Sequence, residues 1–143
     1  MAHPLKHAQS SVKIWKGKIE DYIEIHTKLD CSKKYFPDNR HRILTHNMFF
    51  IFEVIIPLFG EYITNSDGRE VSVKDICEYH ILEDFRMKFI PTPQDWIENI
   101  PMMSWMQNGL GKPPSSAKLK FSKIDENEFN DNKKERIIKK YII

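Results

Sequence analysis

Cysteine is scarce in this sequence, since only Cys31 and Cys77 occur among its 143 residues. They form no C-x-x-C motif and lie far apart along the chain, so the sequence indicates neither a cysteine-based zinc site nor a disulfide-rich secreted scaffold. We interpret both residues as reduced thiols of a cytoplasmic protein.

Long hydrophobic runs are also missing. The longest, residues 48–59, is interrupted by Glu53 and Pro57, whereas a membrane-spanning helix needs about 20 predominantly apolar residues. The opening segment MAHPLKHAQSS lacks the charged and then apolar layout of a signal peptide. The sequence therefore predicts neither secretion nor a membrane span, and a cytoplasmic location follows.

Most of the chain has no excess of charge of one sign. Residues 1–111 carry 13 Lys and Arg against 15 Asp and Glu, whereas residues 112–143 carry nine against five. Residues 1–111 carry almost no net charge and so lack the excess of positive charge that binds nucleic acid. Nucleic acid is therefore not favoured as a partner. We predict one domain over residues 1–111, followed by a linker and a basic extension over residues 112–143.

The sequence predicts a mainly α-helical fold, a bundle of about four helices with one short β-hairpin. Asp67-Gly68 between β-branched residues is a typical hairpin turn. Ser72 suits an N-cap, and Pro93 suits the first position of a helix. Hydrophobic periodicity and such capping residues together predict helices over residues 4–16, 18–34, 39–56 and 73–88, with a shorter one beginning at Pro93.

Two of these predicted helices carry the same four-residue pattern, His26-x-x-x-Asp30 and His80-x-x-x-Asp84. Residues four apart lie on the same side of a helix, so each pair directs an imidazole and a carboxylate toward one point. A helical wheel places both pairs within the apolar face. Ionisable groups in the interior are costly unless they are paired or bind a metal, so the repeated pattern indicates an internal site.

The third predicted helix extends this constellation. Arg42, His46 and Glu53 share one stripe of its wheel with Phe49 and Phe50, and the three phenylalanines of residues 49–52 are expected in the core. A carboxylate within the apolar run FFIFEVII is expected to be buried, and therefore protonated, ion-paired or bound to a cation. The first predicted helix adds two further histidines, His3 and His7.

Imidazole and carboxylate groups together suit Zn²⁺, Fe²⁺ or Mn²⁺, and helical bundles build such sites from side chains on facing helices. A bound metal lowers the pKa of its water toward neutrality, which makes hydrolysis of a phosphoester the natural reaction. Glu53 would then be a ligand or the general base, and Arg40 or Arg42 would bind a phosphate oxygen. The candidate ligands are His3, His7, His26, Asp30, His46, His80 and Asp84.

A non-catalytic interpretation stays open at this point. The sequence contains no H-E-x-x-H motif and no His-Asp dipeptide, and a His four residues before an Asp is also a way to satisfy both groups by a local hydrogen bond. His41 lies on a different side of the helical wheel from His46 and is expected to be structural. In this alternative the protein is an interaction protein that binds another protein through the Met and Trp residues of segment 102–106 and the basic tail.

Four further motifs stand out in the sequence. They are the M-A-H-P-L opening, R-H-R-x3-H at residues 40–46, T-N-S-D-G-R at residues 64–69 and H-x2-E-D at residues 80–84. Together these motifs resemble a small uncharacterised bacterial and phage family, a domain of unknown function, over residues 1 to about 100. The resemblance brings no established activity, but it implies a bacterial or bacteriophage setting, in which the non-catalytic alternative would be a phage or bacterial protein that binds a host or virion protein.

Overall fold

The computed structural model describes residues 3–36 and 38–115. It confirms the predicted mainly helical fold with one β-hairpin. The helices are α1 (Pro4–Trp15), α2 (Ile23–Leu29), α3 (Arg42–Thr45), α4 (Met48–Phe50), α5 (Ile56–Phe59), α6 (Val73–Asp84), α7 (Pro93–Glu98) and α8 (Ser104–Asn108), and the antiparallel strands are β1 (Tyr62–Thr64) and β2 (Glu70–Ser72).

The chain divides into two compact units, residues 1–101 and residues 102–143. The first unit contains α1 to α7 and the hairpin, and the described part of the second contains α8. The predicted boundary at residue 111 stays a prediction. The predicted basic extension lies outside the described residues from residue 116 onward.

Among the residues that the structure describes, no single helix combines the length and hydropathy of a membrane span. Residues 39–45 and 48–59 meet these criteria only as a pair, which is bent by 49° at the break between them.

Helix α1 begins and ends where its sequence predicts. Pro4 occupies the first turn, where its missing N–H costs nothing. The helix ends at Lys16, which has a positive φ of 66°, and Gly17 follows with a φ of 75°. The inward face of α1 presents His7 and Ser11, both buried, to the interior of the first unit.

The third predicted helix, residues 39–56, is not continuous, which corrects the prediction. The chain leaves helical geometry at His46, where φ is −98° and ψ is 62°. Asn47 then starts a new helix, because its Oδ1 accepts from the backbone N of Phe50 at 3.0 Å while its Nδ2 donates to the carbonyl of Ile43 at 2.9 Å. A side chain that caps one segment and binds the other has replaced the backbone bonds of an unbroken helix.

A π-helical turn over Ile51–Ile55 follows and changes which residues face inward. Such a turn holds an extra residue, so a wheel drawn at about 100° per residue no longer applies. Phe50 is buried, but Phe49 and Phe52 are 63% and 46% exposed. Glu53 is also exposed. The predictions that all three phenylalanines lie in the core, and that Glu53 is buried beside them, are therefore wrong.

The core of the first unit is formed chiefly between α2, the π-helical turn and α6. Ile25 and Leu29 of α2 and Ile51 and Ile55 of the turn are buried. Helix α6 is capped by Ser72, whose Oγ accepts from the backbone N of Asp75 at 3.3 Å. This packing sets α6 against α2 and brings their polar residues together. The buried residues of α6 are Val73, Ile76, Cys77, His80 and Ile81.

The hairpin is attached to the end of α1 through Asn65, a buried side chain in the turn between β1 and β2. Its Nδ2 donates to the carbonyl of Trp15 at 2.9 Å and to the Tyr22 hydroxyl at 3.2 Å. Its Oδ1 accepts from the backbone N of Asp67 and of Arg69, each at 3.0 Å. One amide therefore closes the turn and joins it to the helices.

Candidate metal centre

Four ionisable side chains from three helices meet in the interior of the first unit. Asp30 directly follows α2, His46 directly follows α3, and His80 and Asp84 lie one turn apart on α6. Each offers one ligand atom, and these four atoms all lie within 4.8 Å of one another. The four side chains are at most 5% exposed. This buried group could hold a metal ion.

The separations between the ligand atoms fit a small divalent cation. His80 Nε2 lies 3.4 Å from Asp30 Oδ1 and 3.5 Å from Asp84 Oδ2. His46 Nε2 lies 3.7 Å from Asp30 Oδ1 and 2.7 Å from Asp84 Oδ2. Tetrahedral coordination with bonds of about 2.0–2.1 Å places ligand atoms about 3.3–3.4 Å apart. Three of these four separations are close to this value, and all six lie within 4.8 Å. The fourth, the hydrogen bond between His46 and Asp84, would have to open and His46 Nε2 would have to give up its hydrogen.

Among the residues that the structure describes, two of these ligand atoms have no hydrogen-bond partner although they are buried. They are His80 Nε2 and Asp30 Oδ1, which face each other across the centre of the group. Buried polar atoms in native proteins are nearly always paired, and a buried carboxylate oxygen without a partner is costly. The donor set and its unpaired atoms therefore fit a cation.

Both aspartates are held in the ionised form that binds metal. Burial by itself raises the pKa of Asp30, but the nearby His80 and the hydrogen bond from Lys33 outweigh burial and lower that pKa to about 2. Burial likewise opposes ionisation of Asp84, but the hydrogen bond from His46 and the nearby His7 and His80 bring its pKa far below the usual range.

The pKa values of the two imidazoles, His46 and His80, shift in opposite directions although their surroundings are similar. Burial lowers the pKa of His46 to about 4, even though Asp84 raises it, so this ring is neutral near pH 7. Burial also lowers the pKa of His80, but Asp30 and Asp84 outweigh burial and raise it above the ordinary value. A divalent cation between these groups would neutralise the two carboxylates in place of a proton on His80.

Two further predicted ligands, His7 and His26, lie beside the four and not among them. His7 is stacked on the His80 ring with centroids 3.7 Å apart, and its Nε2 is 3.3 Å from Asp84 Oδ1. Both ring nitrogens of His26 are engaged, Nδ1 with His80 at 2.9 Å and Nε2 with Ser11 at 2.8 Å. We therefore place His26 behind His80 and not among the ligands.

The remaining predicted site residues are divided between the cluster and the surface. Arg42 lies beside the cluster, with Nη2 3.6 Å from Asp84 Oδ1. Arg40 is exposed and its guanidinium binds Asp38, with the shortest contact at 2.7 Å. His3 is exposed and caps α1 by accepting from the backbone N of Leu5 at 3.2 Å. The structure therefore supports neither Arg40 nor His3 as part of an internal site.

Glu53 belongs to the π-helical turn, is exposed and is not one of the four grouped residues. We therefore expect Glu53→Gln to bind as much metal as the natural protein, because the substitution changes no ligand and no buried group. Metal content measured by plasma mass spectrometry checks this. A loss of half the metal or more would show that Glu53 takes part in metal binding.

Sequence reasoning missed several polar residues around the cluster. Glu83 Oε1 lies 3.2 Å from His7 Nδ1, and His41, expected to be merely structural, is buried with its ring 5.2 Å from that of His46. Ser32 binds His41 and Thr45, and Thr45 binds His46 Nδ1 at 2.9 Å. Glu83 could have been found from its position next to Asp84 in the sequence, whereas the contacts of Ser32 depend on the tertiary fold.

Comparison with known proteins places the chain in a family without adding an activity. No curated protein and no solved structure matches it significantly. A family model described as a domain of unknown function, DUF6915, matches residues 2–106, which include every residue of the cluster. The chain belongs to this family of domains of unknown function, DUF6915, which agrees with the predicted membership of an uncharacterised family.

Proposed function

We propose that this domain binds one divalent transition-metal ion through Asp30, His46, His80 and Asp84. The observation that carries the proposal is the 3.4 Å approach of His80 Nε2 to Asp30 Oδ1, two buried atoms that have no hydrogen-bond partner in the described part of the chain. Without an ion, a proton on His80 can occupy the space between them, in keeping with the raised pKa of His80. A cation bound by both atoms would take the place of that proton and satisfy both atoms.

The donor set narrows the choice of metal. Two imidazole nitrogens and two carboxylate oxygens suit Zn²⁺, Fe²⁺ or Mn²⁺ better than Ca²⁺ or Mg²⁺, which prefer oxygen ligands. Four protein ligands and deep burial are typical of closed metal sites that stabilise a fold. The proposed role of the ion is therefore to hold α2, α3 and α6 together.

Metal content tests this proposal directly. Untagged protein purified without chelator is expected to contain about one equivalent of Zn, Fe or Mn per chain. Removing the ion should lower the melting temperature by about 10 °C or more, because an ion present well above its dissociation constant stabilises the folded state by several kcal/mol. Metal-free protein whose melting temperature does not respond to any of the three ions would contradict the proposal.

Phosphoester hydrolysis is a second candidate, favoured by the least buried edge of the cluster. There Arg42 is 12% exposed and Glu83 is 26% exposed. The charge of a divalent ion is balanced by the two aspartates. Arg42 and Lys33 then contribute two positive charges against the one negative charge of Glu83, and an excess of positive charge suits a phosphate oxyanion. Inorganic phosphate should then change the visible absorption of the Co²⁺-substituted protein. An unchanged spectrum at millimolar phosphate would count against hydrolysis and leave metal binding intact.

A protein partner for segment 102–106 stays a separate proposal. Met102, Met103 and Met106 are exposed in the described part of the second unit. Flexible, polarizable methionine side chains are typical of adaptable contact surfaces. Such a contact would need neither the metal nor a reaction.

A further inference from the structure

We propose that Ser11 and His26 are positioning residues that orient His80 so that its Nε2 lone pair, and not an N–H, faces the metal. The proposal rests on the metal site described above and assigns it a second layer of residues. It is carried by a chain of buried hydrogen bonds that begins at a backbone carbonyl of α1 and ends at His80.

The first link fixes the hydrogen on His26. Ser11 Oγ donates to the backbone carbonyl of His7 at 3.2 Å. A hydroxyl has one hydrogen, and with that hydrogen directed to the carbonyl we assign Ser11 as the acceptor toward His26 Nε2, 2.8 Å away. His26 Nε2 therefore carries a hydrogen and donates it to Ser11. In a neutral ring, Nδ1 of His26 is then a bare acceptor.

The second link passes this constraint to His80. The Nδ1 atoms of His26 and His80 are 2.9 Å apart, which requires one hydrogen between them. Because His26 Nδ1 is the acceptor, His80 Nδ1 is the donor. A neutral His80 ring then has its lone pair on Nε2, the atom that faces Asp30 at 3.4 Å and Asp84 at 3.5 Å.

The contacts of His80 Nε2 agree with this assignment. It lies close to two carboxylate oxygens, yet it makes no hydrogen bond to either. A histidine that binds metal through one nitrogen commonly donates from the other, which fixes the ring and its tautomer. Here the partner that accepts from the other nitrogen is itself a histidine, held in turn by a serine.

The opposite arrangement would hinder the site. If Ser11 donated to His26 Nε2, His26 Nδ1 would donate to His80, and His80 Nε2 would carry the hydrogen. A metal could then bind only after the whole chain of hydrogen bonds reversed. Loss of such supporting partners typically weakens metal binding by about 10–100-fold.

The tautomer of His26 can be read without any metal. The two ring nitrogens of His26 bond to Ser11 and His80, and neither bond requires an ion. In ¹⁵N-edited NMR spectra of the metal-free protein, we expect the hydrogen on Nε2. A hydrogen on Nδ1 would overturn the proposal even if the protein binds metal, and the measurement stays decisive if it binds none.

Variants test the effect on the site. Ser11→Ala removes the acceptor for His26 Nε2–H and is expected to weaken Zn²⁺ binding about 10–100-fold, measured by competition with a chelator. His26→Leu should do the same, whereas His26→Asn should recover most of the affinity, because its amide oxygen lies near the former Nδ1 and can accept from His80. The result with Asn separates positioning from simple filling of space.

Thr27→Ala is the matched control on α2. Its hydroxyl is exposed and, within the described residues, donates to the backbone carbonyl of Ile23 at 2.8 Å and contacts no member of the cluster, so Zn²⁺ affinity should not change. Equal affinity of Ser11→Ala and Thr27→Ala would overturn the proposal. If Ser11→Ala does not fold, the tautomer of His26 in the natural protein decides the question.

Discussion

Asp84→Asn is expected to lose stoichiometric metal, with affinity reduced about 100-fold or more. The amide keeps the size of the side chain but removes the charge that His46 contacts at 2.7 Å and that the proposed ion requires. Structural zinc sites bind with about 10–16 kcal/mol in all, so the share of one of four ligands is about 3 kcal/mol. Metal content by plasma mass spectrometry should fall from about one equivalent to a small fraction.

Asp75→Asn is the control for this substitution, because Asp75 lies on the same helix but is exposed in its first turn. It should retain the metal and the rise in melting temperature on metal addition. If Asp84→Asn retains them equally well, Asp84 is not a ligand. In that case the contacts of His46, His80 and His7 with this carboxylate form a structural network of hydrogen bonds and ion pairs.

Asn65→Ala is expected to lower the free energy of unfolding by about 3–5 kcal/mol. The substitution removes four hydrogen bonds and leaves the backbone N–H of Asp67 and Arg69 and the carbonyl of Trp15 without their partner. Buried groups left unpaired cost about 1–3 kcal/mol each, and water reaches some of them here. Urea unfolding followed by circular dichroism measures the change.

Asn99→Ala provides the comparison, since Asn99 is exposed and its side chain donates only to the carbonyl of Asp95, at 2.8 Å. Its effect should stay below about 1 kcal/mol, as for most surface substitutions. A loss below 1 kcal/mol for Asn65→Ala as well would show that the hairpin is not held to α1 by this side chain.

Local signals in the sequence determined the elements whose ends depend on one or two residues. The first helix was predicted over residues 4–16 and spans Pro4–Trp15, because a proline opens it and Gly17 follows its end. Asp67-Gly68 placed the hairpin between β1 and β2 for a similar reason. Capping and turn chemistry act over a few residues, so they can be read without the fold.

The third predicted helix shows where such reasoning fails. A regular wheel placed Phe49 and Glu53 on one stripe and Phe52 was expected in the core, but the cap at Asn47 and the π-helical turn over Ile51–Ile55 change the register. Asn47 is a favoured capping residue and so carried a usable signal, whereas the spacing of the apolar residues does not mark the π-helical turn. Only packing against the rest of the unit decides which of its side chains are buried.

The sequence by itself determined that two His-x-x-x-Asp pairs face the interior, because a spacing of four is a property of one helix. The tertiary structure decided how they are used. His46 belongs to the cluster although it lies 38 residues before Asp84 in the sequence, whereas His26 lies behind His80 and is not one of the four grouped residues. Ligand geometry depends on atoms from different helices meeting within a few ångströms, and no spacing along the chain encodes that distance.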